Sequence, residues 1–306
     1  MNTATSVKLN ESATPDRILR HLDWHVVRRL DGILQGDYRS LFFGAGMELA
    51  ELREYQTEDD ARTIDWNVTA RMNSPYVRQY TEDREITAWF LLDLSPSMAF
   101  GALERPKQTV MLDFVATLAL LLTRNGNRVG AIFYNNRVEA MVPPRGGRAQ
   151  VLRLIDDLVT REPSSSGSMT DLTPLLASAA NVIQRRSLVF LVSDFVCLPG
   201  WAGPANLLSQ RHDVLPIRLW DPREVELPDV GVILVEDSET GEQLTVDTSD
   251  KNLRRRFYEA AQRRESELAE TFTRAGVLPL SLSTEEDLVG AILRFAALRK
   301  RMRRRR

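Results

Sequence analysis

Ile86-Thr87-Ala88-Trp89-Phe90-Leu91-Leu92-Asp93-Leu94-Ser95-Pro96-Ser97 is the stretch on which the fold turns. Residues 86–92 form a near-continuous apolar run, the pattern of a strand buried on both faces of a sheet. Such strands belong to parallel sheets covered by helices. The polar cluster from Asp93 to Ser97 follows at once and so stands at the carboxyl end of that strand, where open α/β sheets hold their ligands.

Working outward, the pattern predicts a helix over 106–124 and two strands, 129–134 and 138–142, around Asn135-Asn136-Arg137. That polar turn tolerates positive φ and suggests an antiparallel hairpin. Helices follow at 149–159 and 172–184, a second strand of the buried parallel type at 187–193, a short helix at 205–210 and a strand at 213–219. The runs 230–235 and 243–246 flank Glu239-Thr240-Gly241 and read as a hairpin insertion. A long charged helix over 253–274 ends at Gly276, a suitable C-cap, before a strand at 277–282. Ser283 or Thr284 is expected to cap a last helix with the acidic first turn Glu285-Glu286-Asp287. Strand and helix alternating on this scale indicate α/β architecture: a doubly wound, mostly parallel, Rossmann-like sheet. The expected division is a small irregular unit at 1–85, the α/β domain at 86–298 with its insertion near 230–247, and a basic tail at 299–306.

Composition narrows the class. At 306 residues and 43% hydrophobic content the chain can bury one substantial core and a smaller companion. Cys197 is the single cysteine, so neither an internal disulfide nor a cysteine-based metal site is expected. No run approaches the ~18–20 apolar residues of a membrane span, and the polar N-terminus lacks the apolar block of a signal peptide. A cytoplasmic location is the expectation. The net charge of −2 hides an asymmetry, because Arg299, Lys300, Arg301, Arg303, Arg304, Arg305 and Arg306 form a tail with no acid. That tail suits a polyanion, an acidic partner or an anionic membrane surface, or serves only as a solubilising end.

Three polar elements fall on one predicted rim: Asp93-Leu94-Ser95-Pro96-Ser97, the loop Gly167-Ser168-Met169-Thr170-Asp171 entering a helix, and Ser193-Asp194 ending a strand. Carboxylates and hydroxyls are hard oxygen ligands, and a set with few carboxylates favours Mg²⁺ that keeps waters; Mn²⁺ or Ca²⁺ would also suit. The alternative is that Ser95, Ser97 and Thr170 merely cap turns and helices. Asp-x-Ser-x-Ser, a distant Thr before Asp-Leu, and an Asp ending a later apolar strand resemble the metal-ion-dependent adhesion site (MIDAS) of von Willebrand factor A (vWA) domains. The resemblance implies Ser95, Ser97 and Thr170 as direct ligands, and Asp93 and Asp194 largely as water-mediated ones. It also implies an open coordination position for an acidic residue of a partner protein. Asp171 is expected to support its loop at the helix start.

A narrower resemblance covers nearly the whole chain. Arg53-Glu54-Tyr55, Asp59-Asp60-x-Arg62-x-Ile64-Asp65-Trp66, Ala70-Arg71 and Val77-Arg78 are similar to the block that precedes a vWA domain in the bacterial "domain of unknown function 58" (DUF58) family. Glu58 stands where that family usually has glycine. Many members carry N-terminal membrane helices, and this chain resembles the soluble branch. The family resemblance implies a MoxR-type AAA+ ATPase partner and a non-catalytic adaptor role. The alternating Arg53, Arg62, Arg71, Arg78 and Glu54, Asp59, Asp60, Asp65 suit internal ion pairs that fix an irregular segment, or a partner surface, with Trp66 as a core anchor.

The rival reading is a metal-dependent hydrolase or phosphatase using the same rim. Gly-x-Ser-x-Gly, His-Glu-x-x-His and Gly-x-x-x-x-Gly-Lys patterns are missing, and Gly44-Ala45-Gly46 follows no convincing strand. His21 and His25 share a helix face with no third ligand nearby, and His212 stands alone. Asp93 as a phosphatase nucleophile lacks the usual second Asp, since Ser95 occupies that position.

Overall fold

The computed structural model describes residues 14–22, 26–27, 30, 51–56, 59, 64, 66–72, 74–79, 85–102, 105–161, 169–236 and 242–303. Contacts divide the chain into two units, residues 42–85 and the remainder. The first helix, α1 (Pro15–Leu22), belongs to the larger unit. It buries Ile18, Leu19 and Leu22, and Asp16 accepts a 2.8 Å bond from Arg148. The unit expected over 1–85 therefore loses its N-terminal helix to the α/β domain, because that helix has an apolar face to bury.

The smaller unit holds β1 (Glu51–Glu54), α2 (Trp66–Met72) and β2 (Tyr76–Gln79), with β1 and β2 antiparallel. The Thr69 hydroxyl accepts from the Tyr76 N–H, turning that side of α2 toward β2. Trp66 does not anchor a core: it is 70% exposed, on the face it shares with exposed Ala70 one turn on. Of the ion-pairing residues expected there, Asp60, Arg62 and Asp65 lie outside the described residues, as do Glu58, His25 and Gly44-Ala45-Gly46.

In the larger unit the chain runs β3 (Thr87–Asp93), a 3₁₀ turn (Pro96–Ala99), the short pair β4 (Gly101–Ala102) and β5 (Arg105–Pro106), and α3 (Lys107–Arg124). There follow β6 (Arg128–Tyr134), β7 (Val138–Arg145), α4 (Arg148–Thr160), α5 (Thr173–Val182), β8 (Leu188–Ser193), α6 (Ala202–Arg211) and β9 (Asp213–Trp220). A 3₁₀ turn (Pro222–Glu224) leads to the hairpin β10 (Val232–Glu236) and β11 (Gln243–Asp247), then α7 (Lys251–Ala275), β12 (Leu280–Ser283) and α8 (Leu288–Arg303). Six strands form one sheet in the order β12-β9-β8-β3-β6-β7, parallel except for β7 against β6. This is the doubly wound α/β sheet that the apolar strand pattern requires. Its direction of winding reverses between β3 and β8, so a crevice opens at their carboxyl ends.

The two buried faces pack differently. Phe90 and Phe190, cross-strand partners on β3 and β8, stack at 5.0 Å, and Phe114 of α3 meets Phe190 edge-on at 5.8 Å. The opposite face carries Trp89, Leu91, Val189 and Leu191 against Leu172, Leu175 and Leu176 of α5 and its entry. At the turn after β6, Asn136 takes φ 50°, the left-handed conformation its side chain tolerates. Gly276 ends α7 at φ 68°. The last helix starts later than expected: Thr284 donates to Asp221 instead, and Asp287 accepts the Gly290 N–H 3.0 Å away. The backbone of α8 runs on to Arg303, so residues 299–303 continue a helix rather than begin a separate tail; Arg304, Arg305 and Arg306 lie outside the described residues. Among the described residues no helix is long and apolar enough to cross a membrane.

One buried acid is poorly served. Asp113, inside α3, faces Arg105 only at 3.8 Å, and its Oδ1 has no hydrogen-bond partner. Burial pushes its carboxyl up to about 6, against a smaller lowering by Arg105. A raised carboxylate pKa means that the native state binds the proton more tightly than the unfolded chain. The stability is then present at about pH 4 and lost as pH rises through 6. Asp113→Asn is expected to remove that loss, raising stability at pH 8 on the order of 1–3 kcal/mol relative to pH 4.5. Urea melts of both proteins at the two pH values check it, and an unchanged difference would refute the assignment.

Candidate functional site

Asp93, Ser95, Ser97, Thr170 and Asp194 are all buried, none more than 4% exposed. Each is placed by a separate piece of local chemistry. Asp93 ends β3 opposite Tyr134 of β6, and the next residue continues that ladder as the Leu94 N–H donates to the Tyr134 carbonyl at 2.7 Å. The chain then turns: the Ser95 N–H donates back to Asp93 Oδ1 at 3.0 Å, and Pro96 opens the 3₁₀ turn that carries Ser97. As a result the Ser95 and Ser97 hydroxyls come within 3.1 Å of each other.

Asp194 follows β8, the neighbour of β3. Ser193 donates to Asp93 Oδ2 at 2.6 Å, joining the two strand ends. Phe195 then adopts φ 60°, a left-handed conformation costly for a bulky residue. Its ring packs on Trp201 and Phe272 at 5.1 and 4.9 Å, which holds the strained turn. The Val196 N–H donates to Asp194 Oδ1 at 3.0 Å.

Thr170 reaches the rim from another loop. On one side the Leu198 N–H donates to the Thr170 carbonyl at 2.8 Å. On the other, Tyr134 donates its hydroxyl proton to the Asp171 carbonyl at 2.5 Å, and the Asp171 N–H donates to Asn136 Oδ1 at 3.2 Å. These anchors lie at or just beyond the carboxyl ends of β8 and β6, the two strands flanking β3, so the loop straddles the end of the central strand. The Asp171 carboxylate accepts the Thr173 N–H at 2.8 Å, supporting the start of α5.

Lys107 and Glu224 were missing from the sequence reading. Lys107 opens α3 and is fully buried, with Nζ donating to Asp194 Oδ2 at 2.5 Å and to Glu224 Oε1 at 2.6 Å. Burial alone would lower its pKa, but Asp194 and then Glu224 outweigh it and hold the amine above its ordinary value. Two signals were available: a lysine at the positive end of a helix dipole, and the Asp221-Pro222-Arg223-Glu224 capping-box spacing. The box is formed, with Asp221 accepting from the Arg223 N–H and Glu224 from the Asp221 N–H.

The electrostatics favour a cation. Burial first, and the field of Asp194 second, push Asp93 up to about 6, even though Ser193 and Ser95 bond its carboxylate. Asp93, Asp194 and Glu224 against Lys107 leave a formal charge of −2, the charge a divalent ion would neutralise. The donors are two carboxylates and three hydroxyls, hard oxygens suited to Mg²⁺. Among the described residues no group of three or more His, Cys, Asp and Glu forms a metal cluster, so such a site would depend on its hydroxyls. Exposed Phe100, Met169 and Leu198 border it: Phe100 bonds Ser97 through the backbone, Met169 precedes Thr170, and Leu198 bonds Thr170.

Fold and site together define a doubly wound α/β protein with a buried oxygen cluster at the switch point of its sheet. The chain belongs to the family described as "Protein of unknown function DUF58", matched over residues 51–267. It is 36% identical over 285 residues to the Uncharacterized protein Rv1480 of Mycobacterium tuberculosis, covering 92% of this chain and 89% of that one. An uncharacterized protein of Mycobacterium bovis matches with the same figures. Among solved structures, an aerotolerance-related membrane protein from Bacteroides fragilis superposes with TM-score 0.48 at 14% identity, covering 71% of this chain and 100% of the other. BatB from Bacteroides thetaiotaomicron gives 0.45 at 13%, with 71% and 99% covered.

Proposed function

We propose that this protein is a non-catalytic adaptor whose vWA-type adhesion site binds Mg²⁺ and, through it, an acidic side chain of a partner protein. Ser95, Ser97 and Thr170 would hold the ion directly, with Asp93 and Asp194 behind them. When bound, the ion supplies a Lewis-acidic position for a carboxylate. The observation that carries the reading is the burial of these five side chains at the one point where the sheet reverses its winding. The exposed collar of Phe100, Met169 and Leu198 adds apolar area for the residues flanking the partner's acid. A binding role is further supported by what surrounds the cluster: its amine is held between two carboxylates, and His212 lies just before β9, at the amino ends of the strands and away from the rim. The partner proposed is a MoxR-type AAA+ ATPase or a client protein presenting an exposed Asp or Glu.

The test is a pull-down of the ATPase with Mg²⁺ and with chelator, using the wild type and Ser95→Ala. Recovery is expected with the wild type in Mg²⁺ alone. Equal recovery in all four conditions would sink the metal bridge.

A further inference from the structure

Lys107 is an unusual occupant for its position. A cation at the first residue of a helix faces the positive end of the dipole, and complete burial adds a desolvation cost. Both must be offset by partners, and the partners are unequal. Glu224 is fixed independently of Lys107: its Oε2 caps the Asp221 N–H at 3.0 Å, and its carbonyl accepts Arg264 Nη2 at 3.0 Å. Asp194 belongs to the proposed adhesion site, yet both its oxygens are already engaged, Oδ1 by the Val196 N–H and Oδ2 by Lys107.

We infer that Lys107 is a built-in competitor for the metal: it holds the Asp194 carboxylate in the cation-free protein and falls back on Glu224 when Asp194 turns toward a divalent ion. The inference rests on the adhesion-site reading above. Lys107 is in this sense a positioning residue, acting on the ion through Asp194. Its two-carboxylate cradle makes release of Asp194 tolerable, because the buried ammonium keeps a charged partner throughout. A metal affinity set by this exchange is lower than the oxygen donors alone would give, so a partner's carboxylate has more to add to the complex. The exchange also ends on the Pro222–Glu224 turn, which leads into the β10–β11 hairpin.

Two substitutions should move metal affinity in opposite directions. Lys107→Met removes the competitor and is expected to tighten Mn²⁺ binding at least tenfold. Glu224→Gln takes away the fallback anion while its amide oxygen still caps Asp221, and is expected to weaken Mn²⁺ binding several-fold. Mn²⁺ titration of the full chain followed by electron paramagnetic resonance reads both, with Ser95→Ala as the reference for site loss. Should Lys107→Met fail to fold without metal, Glu224→Gln decides alone. Ser95-dependent binding that is indifferent to Glu224→Gln, and to Lys107→Met where that variant folds, overturns the competition and leaves the adhesion site standing. Wild-type binding equal to that of Ser95→Ala overturns the site and the competition with it. A merely structural lysine would lower stability without producing opposite shifts in affinity.

Discussion

Asp93→Asn is expected to lower Mn²⁺ affinity about 10–100-fold while leaving the protein folded. The carboxylate stands at the end of the central strand and accepts from the Ser95 N–H on Oδ1 and from the Ser193 hydroxyl on Oδ2. An asparagine carbonyl can keep the first, and the Ser193 hydroxyl can rotate to accept from the new amide. The turn that brings Ser95 and Ser97 together therefore survives, and the charge is what is lost. That charge is costly in the metal-free protein, since burial and Asp194 hold the carboxyl up at about 6. The variant is thus expected to melt no lower than the wild type at pH 8 without metal, and to lose the metal-induced rise. Calorimetric titration with Mn²⁺ and thermal melts with and without it check both halves. Unchanged affinity in a folded variant would remove Asp93 from the site.

Phe190→Ala is expected to cost about 3–5 kcal/mol of stability. Its ring lies between the Phe90 face at 5.0 Å and the Phe114 edge at 5.8 Å, linking the two central strands to α3. All three side chains are fully buried, so truncation removes a large apolar surface and leaves a cavity in a region framed by a rigid parallel ladder. The same two strands present Asp93 and Ser193, and loosening their packing should also weaken metal binding. An unfolding free energy from urea melts within about 1 kcal/mol of the wild type would mean that the site collapses to fill the space.

Much of the sheet was legible because its strands are nearly uniform in hydrophobicity. Residues 86–92 and 187–193 match β3 and β8 to within one residue at each end, since only burial on both faces tolerates such runs. The turn at Asn135-Asn136-Arg137 was legible from side-chain chemistry alone. Trp66 was misplaced because aromatic character does not reveal which face of a short helix meets the strand. The start of α8 was misplaced because two plausible caps, Thr284 and Asp287, compete locally, and a distant acid, Asp221, claims the threonine. Lys107 was passed over for a similar reason: its partners are 87 and 117 residues away.

The sequence by itself determined the α/β class, the strand ends on which oxygen ligands stand, and the turn chemistry of Asp93-Leu94-Ser95-Pro96-Ser97. These are properties of residues within a few positions of one another, governed by period, φ preference and short-range hydrogen bonding. Only the tertiary structure decided that β3 and β8 are neighbours, that Ser193 joins their ends, and that Thr170 and Asp171 are held across them, by Leu198 and Tyr134 respectively. It alone set a buried lysine against Asp194 and Glu224, because long-range pairing in a low-dielectric rim depends on which distant charges the fold brings together.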